Sequence, residues 1–350
     1  MLLVSARPIS RTVGRATVLF SVLALAAASC GRGQPTAATP LRTAPEPAVS
    51  PPARSELPGT VTAMAGTPEG VAITESGLIA VNVRNPDGLV IVPAARIADV
   101  AARRFVPLAG SARHLTLAGP DGPALVAEET SDELVEVNLT DASTIQMVPV
   151  GRQPHEAFEV GDDQWVANEF GNSFSVVSGG RVIRTVAAPL QPGGGTPSTD
   201  DRFVVGVGVR ARRITEYRAD GSVIGSANCG AGPTHVVSGS GGLFWVNDTN
   251  GDAVLAFTLT RHGPRQMARV PVGAGSKPYG IAYDPVHHVL LTTLTGRDQL
   301  LELTLRGTTV LNQRVQETVR QPNTVAVQPA TGRIVVTGST ANGHLQLLSE

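Results

Sequence analysis

The tetrapeptide VPVG stands at residues 148–151 and again at 270–273, 122 positions apart, and each copy runs within a few residues into a proline, in RQPHEAF (152–158) and AGSKPYGIA (274–282). A third of that interval is about 41 residues, which places the two copies three repeats apart. At this spacing one phrase recurs, a proline before a short apolar strand. It stands as TPEGVAI (67–73), QPHEAFEV (153–160), QPGGGTPS (191–198), GPTHVV (232–237), KPYGIAY (277–283) and QPNTVAV (321–327), and SARHLTL (111–117) fills the remaining slot without a proline. The anchors are therefore Pro68, Ala112, Pro154, Pro192, Pro233, Pro278 and Pro322, stepping by 44, 42, 38, 41, 45 and 44 residues. A second mark keeps the same register: Asn82, Asn168 and Asn247 each fall fourteen residues after an anchor, at the ends of LIAVN, WVAN and FWVN.

Each unit reads as four short strands of alternating apolar and polar residues. In the second they lie near 113–117, 124–127, 133–138 and 144–149, separated by the turns GPDG, TSDE and TDAS. Four-stranded units of this length predict propeller blades. The fold class is all-β, a seven-bladed β-propeller with four-stranded blades over residues 59–350. Only AARIADVAARR (94–104) has a helix-like pattern. After Pro322 there is room for three strands, near 323–328, 333–337 and 343–349, while GTVTAM (59–64) precedes the first anchor. Pairing that N-terminal strand onto the last blade closes the ring and removes an exposed sheet edge.

The stretches KPYGIAYDPVHHVLLTTLTGRDQLLELTL (277–305) and GPTHVVSGSGGLFWVNDTNGDAVLAFTL (232–259) resemble the YVTN family of bacterial β-propellers, and the resemblance extends over residues 59–350. The family's tetrad is matched loosely, by Trp245-Val246-Asn247-Asp248 and by Ile79-Ala80-Val81-Asn82, and blade four (192–232) matches least. Such propellers include binding proteins, surface proteins and lactonases, so the resemblance implies the fold and no single function.

The first 58 residues read as an address and a tether. Arg7, Arg11 and Arg15 precede the apolar run ATVLFSVLALAAAS (16–29) and then Cys30. This is the pattern of a secretory signal, and the run is too short for a membrane span of about 20 residues. Ala27-Ala28-Ser29-Cys30 resembles the lipobox of bacterial lipoproteins, with alanine where leucine is commoner. The resemblance implies cleavage before Cys30, a diacylglycerol on its sulfur, and attachment to the outer face of the cell membrane. Residues 31–58 hold seven prolines and few large apolar side chains. Residues 30–58 read as an anchored spacer, extended at ~3.1 Å per residue to at most roughly 85 Å.

The formal net charge of −1 excludes nucleic acid as a ready partner, and loss of the three N-terminal arginines leaves 25 basic against 29 acidic residues, or −4. With a single lysine, Lys277, the basic residues are nearly all arginine, the mark of GC-rich coding of the actinobacterial kind. The two cysteines, Cys30 and Cys229, offer no disulfide framework. Nucleophile-elbow, zincin and phosphate-loop motifs are absent from the sequence, and no cofactor or metal is read from it. His287 and His288 fall at a turn, and SGSGG (238–242) is a hairpin turn. Arg210, Arg212 and Arg213 read as an alternating edge strand.

One constellation carries chemistry. The residues just after each anchor enter the innermost strand of a blade, beside the central channel. They include Glu69, Arg113, His114, His155, Glu156, His235, Tyr279 and Asn323. Such a set has three uses: to bind a cation or polar ligand, to move protons, or to satisfy blade backbones and channel water. Two functions follow. The first is a non-catalytic binding module for an envelope protein or small ligand. The second is a lactonase-like hydrolase using the histidines and glutamates, for which Glu69, Glu156 and Asn323 are the set that would have to meet at one metal.

Overall fold

A computed structural model of the chain describes residues 42–52 and 56–349; the signal region and Cys30 lie outside them. Among the described residues, twenty-eight strands form seven four-stranded antiparallel sheets arranged as the blades of a propeller. The innermost strands are Thr67–Ile73, Ala112–Leu117, Pro154–Val160, Pro192–Pro197, Pro233–Ser238, Pro278–Asp284 and Pro322–Gln328, so every anchor begins a strand or stands one residue inside it. The last blade takes its fourth strand from the other end of the domain: Thr60–Ala63 pairs with His344–Leu348, Thr60 opposite Leu347 and Ala63 opposite His344.

The proline anchors follow from strand chemistry. Proline donates no hydrogen bond, so it is tolerated where a strand starts and beside a bulge. Both conditions hold here. In all seven blades the pairing of the innermost strand slips immediately after the anchor, between Pro68 and Val71 in the first blade and between Pro322 and Val325 in the last. At four blade junctions the residue before the anchor, Gln153, Gln191, Lys277 or Gln321, has a left-handed backbone. Its N–H is accepted by Asp132, Asn172, Asp252 or Asp298 from the preceding blade. These side chains fix each blade's start against its neighbour.

The core lies between blades. Ile79, Val81 and Val92 of blade 1 pack against Val335 and Leu345 of blade 7, across the closure. Trp165 and Phe174 of blade 3 meet Tyr217 of blade 4 as a tilted and edge-on aromatic group, all fully buried. Blade 4 is the poorest sequence match because it yields space to these rings: a side chain at Gly206 would run into the Phe174 ring, and one at Gly195 into Phe158.

The stretch 94–104 contains two short 3-10 turns, Ala94–Arg96 and Val100–Ala102, before the strand Arg104–Pro107. Its helix-like pattern is a covering loop in which Ala94 and Ile97 reach the core. Arg210 and Arg212 lie in the turn between strands Phe203–Gly208 and Arg213–Arg218, not along an edge strand. Cys229 is a free, buried thiol whose pKa burial raises, which removes it from nucleophilic chemistry.

Residues 42–52, read from sequence as part of the spacer, lie against the propeller. The Ala48 N–H donates to Thr295 Oγ1 (2.9 Å), Ser50 Oγ donates to the Thr295 carbonyl (2.8 Å), and Gln321 Nε2 donates to the Ala48 carbonyl (2.6 Å). Arg210 holds the Arg42 carbonyl from blade 4, and Arg320 the Pro51 carbonyl from blade 7. The segment is therefore a strap across one mouth of the channel.

Candidate site in the central channel

The slip after each anchor decides which side chains face the channel. A bulge re-aims the residues that it leaves unpaired. In blades 2 and 5 the pairing resumes three residues after the anchor, and His114 and His235 lie within the slip; in blade 3 it resumes after two, and His155 lies there. The three imidazoles meet, with ring centroids 4.4 Å apart for His114 and His235, 4.8 Å for His114 and His155, and 5.8 Å for His155 and His235. Tyr279 of blade 6 closes edge-on over His235 at 5.0 Å. All four side chains are buried.

On the strapped side of this ring lies a chamber of about 20 Å³, lined by Pro45, Glu46, Arg113, Glu169 and Tyr279 among others, room for about one water. Arg113 Nε donates to Glu129 Oε2 (3.1 Å), and its guanidinium stands 4.0 Å from Glu46. His155 Nδ1 lies 3.5 Å from Glu169 Oε2, and Gln191 Nε2 donates to the other Glu169 oxygen at 2.6 Å. Burial alone would raise the Glu169 pKa, but its partners His155, Gln191 and Arg113 outweigh it and hold the carboxyl down at about 2.

On the other side the channel widens into an open cavity of about 410 Å³. Its lining mixes aliphatic side chains such as Ile73, Ile281 and Val327 with hydroxyl side chains such as Thr196 and Ser238, and His114, His235 and Glu156 also line it. Burial lowers His235 to about 3 and takes His114 well below the ordinary histidine range, each helped by the neighbouring imidazoles. Both rings are therefore neutral at pH 7. Burial also pushes Glu156 up to about 8, against a smaller opposing pull from His155. Its Oε2 is buried and has no hydrogen-bond partner, and neither has His235 Nε2. Gly194 makes room for this carboxyl: a Cβ there would collide with Glu156 Oε2.

The remaining residues singled out by sequence have other partners. Glu69 is ion-paired with Arg84. Asn323 accepts from Thr324 Oγ1 at 3.3 Å, and its carbonyl accepts from Thr293 Oγ1 at 3.1 Å. Glu69, Glu156 and Asn323 do not form a common metal cage. Among the described residues, the group of histidine, cysteine or carboxylate side chains within reach of one ion is His114, His155 and His235.

Sequence reasoning missed Glu129 and Glu169, and a signal for them exists. Each directly follows the residue paired with an anchor, Glu128 opposite Ala112 and Asn168 opposite Pro154. Each also donates its N–H to the carbonyl before that anchor, of Ser111 and Gln153. Counting across the hairpin from every anchor defines a second ring, Arg84, Glu129, Glu169, Val209, Thr249, Thr295 and Ser339, polar at six of seven positions. Glu46 carries no such signal, because its place depends on the strap.

No family model matches this sequence, and no curated protein sequence matches it either. Solved structures do. The chain is similar to a streptogramin B lyase (12% identity, covering 84% of this chain and 98% of that one, TM-score 0.69). It is similar to a chain of Kuenenia stuttgartiensis hydrazine synthase (18% identity, 85% and 97% covered, TM-score 0.69). It is also similar to the Cps50 (Swd1) β-propeller domain of Myceliophteria thermophila (13% identity, 82% and 97% covered, TM-score 0.67). At these identities the likeness establishes the fold alone: the protein is a seven-bladed β-propeller.

Proposed function

We propose that the protein is a lipid-anchored binding module of the cell envelope, a propeller of the YVTN type tethered through Cys30, which takes a small ligand into the open end of its channel without chemical conversion. The observation that carries this reading is the cavity of about 410 Å³, lined by both aliphatic and polar side chains, among them Glu156 and His235, whose Oε2 and Nε2 are buried without partners. Buried polar atoms are normally satisfied, so two unpartnered atoms on residues that line one cavity favour a ligand that reaches in and supplies the missing bonds. A protonated Glu156 donates and a neutral imidazole accepts or donates, which suits an uncharged hydroxyl, amide or lactone group on an apolar body.

The test is native mass spectrometry of the protein recovered from envelopes of the producing cell, beside the cavity-filling variant Ala282→Trp. A small molecule retained one per chain by the parent and absent from the variant supports the reading. Equal retention by both, or none by either, overturns it. The anchor is tested apart: Cys30→Ser should move the protein from the membrane fraction to the soluble one, and continued membrane association overturns lipidation as the tether. A second reading, a lactonase-like hydrolase, is favoured by Glu156 alone, whose pKa near 8 suits general acid–base work at neutral pH. Turnover of lactones that is lost in Glu156→Gln would decide for it.

A further inference from the structure

We propose that His114, His155 and His235 form a binding site for one divalent transition-metal ion, Zn²⁺ most readily, set across the channel where the closed chamber meets the open cavity. One ring nitrogen from each histidine lies within 4.8 Å of the other two. A tetrahedral ion with bonds of ~2.0–2.1 Å needs its nitrogens about 3.3 Å apart, so the widest pair must close by roughly 1.5 Å, within reach of small side-chain rotations. The donor set is one that zinc takes with three histidines, leaving a fourth position open.

Three observations independent of that spacing point the same way. First, Nε2 of His235 is buried with no hydrogen-bond partner among the described residues, on a ring whose centroid lies 4.4 Å from that of His114 and 5.8 Å from that of His155. Second, His155 presents Nδ1 to Glu169 at 3.5 Å, and Glu169 is itself held by Gln191. At that distance His155 Nδ1 makes no hydrogen bond, but the carboxylate stands where outer carboxylates orient metal-binding histidines, and closing the gap would leave Nε2 for an ion. Third, the local charge suits a cation. Four carboxylates, Glu46, Glu69, Glu129 and Glu169, stand with two guanidiniums, Arg84 and Arg113, on the strapped side, an excess of two negative charges. Each neutral imidazole offers one nitrogen lone pair, and one ion can take up all three.

The inference takes His235 Nε2, which the ligand reading above also uses, so a ligand bound beside the ion would be met by Glu156 and by the ion's open position; the ion itself does not need the ligand. The open fourth position would face the cavity, where His114 and His235 form part of the wall beside Glu156.

The experiment is a titration of the metal-free full chain with Co²⁺, followed by competition with Zn²⁺ and with no organic ligand present. The expected result is visible absorption of four-coordinate Co²⁺ saturating at one equivalent per chain and erased by one equivalent of Zn²⁺. His235→Ala and His155→Ala should each weaken binding about 100-fold or more. His287→Ala with His288→Ala, at a surface turn away from the channel, should leave it unchanged. His235→Gln, which keeps the bulk and a polar tip, guards against a variant that fails to fold, as circular dichroism will show. Absence of the absorption band overturns the proposal, and so does a band that survives His235→Gln or vanishes with the surface pair. Retention of an envelope ligand by a chain that binds no Co²⁺ would sink the metal and leave the ligand reading standing.

Discussion

Glu156 makes a prediction whose sign and size follow from its surroundings. Its pKa rises from 4.5 to about 8 in the folded protein, mainly through burial. Between those values the folded state holds a proton that the unfolded state has released. Stability therefore falls as pH rises from about 4.5, and levels off above about 8, where the folded carboxyl also ionises. The full shift corresponds to roughly 4.8 kcal/mol at 1.36 kcal/mol per pH unit. The residue is only half-buried by surface, however, since it lines the open cavity. Solvent screening reduces the expected cost to about 2–3 kcal/mol at pH 8, against under about 1 kcal/mol at pH 5. Glutamine cannot ionise. Glu156→Gln should thus carry a constant offset plus a gain that grows by about 2 kcal/mol between pH 5 and pH 8. Urea unfolding of parent and variant at half-unit pH steps reads the difference directly, and other titrating groups cancel in it. Parallel profiles across that window would refute the claim that this carboxyl is held protonated. His235 supplies the opposite limb: its lowered pKa gives stability that is present above pH 6.5 and lost as pH falls below it, so His235→Gln should flatten the acid side.

Three further predictions test the frame around the site. Gly194→Ala adds a methyl against Glu156 Oε2 on a backbone of positive φ, and should both destabilise the fold by about 1–3 kcal/mol and abolish the pH effect of Glu156→Gln, read in the same unfolding series. Deleting residues 59–65 removes the closing strand together with Met64, which packs between blades 1 and 7; the melting temperature should fall by roughly 5–10 °C, and an unchanged value would contradict ring closure by this strand. Gln321→Ala strips the strap of the bonds it makes to the Ala48 carbonyl and the Ser50 N–H, and hydrogen exchange at the Ser50 amide should quicken by about 5- to 30-fold, at roughly 1 kcal/mol per bond.

The ring itself was legible from sequence because a propeller repeats its packing. Anchors such as Pro154 and Pro278 start strands for reasons local to proline, and the apolar alternation between them needs no distant partner to interpret. The three strands remaining after Pro322 and the spare strand at 60–63 then permit one closure. The site was half legible for the same reason. Position after an anchor brought His114, His155, His235 and Tyr279 into one list, and the structure brings them into one cluster. Glu69 answers to Arg84 instead, because an inward position does not reveal which neighbour across the hairpin will claim the charge.

What sequence could not supply is the direction in which each side chain leaves the bulge. A slip of two residues in blade 3, against three in blades 2 and 5, puts His155 at the first position after its anchor level with His114 and His235 at the second. The same short slip faces Glu156 toward blade 4, where QPGGGTPS had seemed only a weak repeat. Those glycines are an innermost strand whose missing side chains admit the Glu156 carboxyl at Gly194 and the Phe158 ring at Gly195. Blade 4 therefore departs from the repeat because it faces the site. In a fold whose blades are interchangeable in packing, the unit that breaks the pattern is where the chain has traded a packing residue for room, and here that room holds a channel carboxyl whose pKa burial pushes up to about 8.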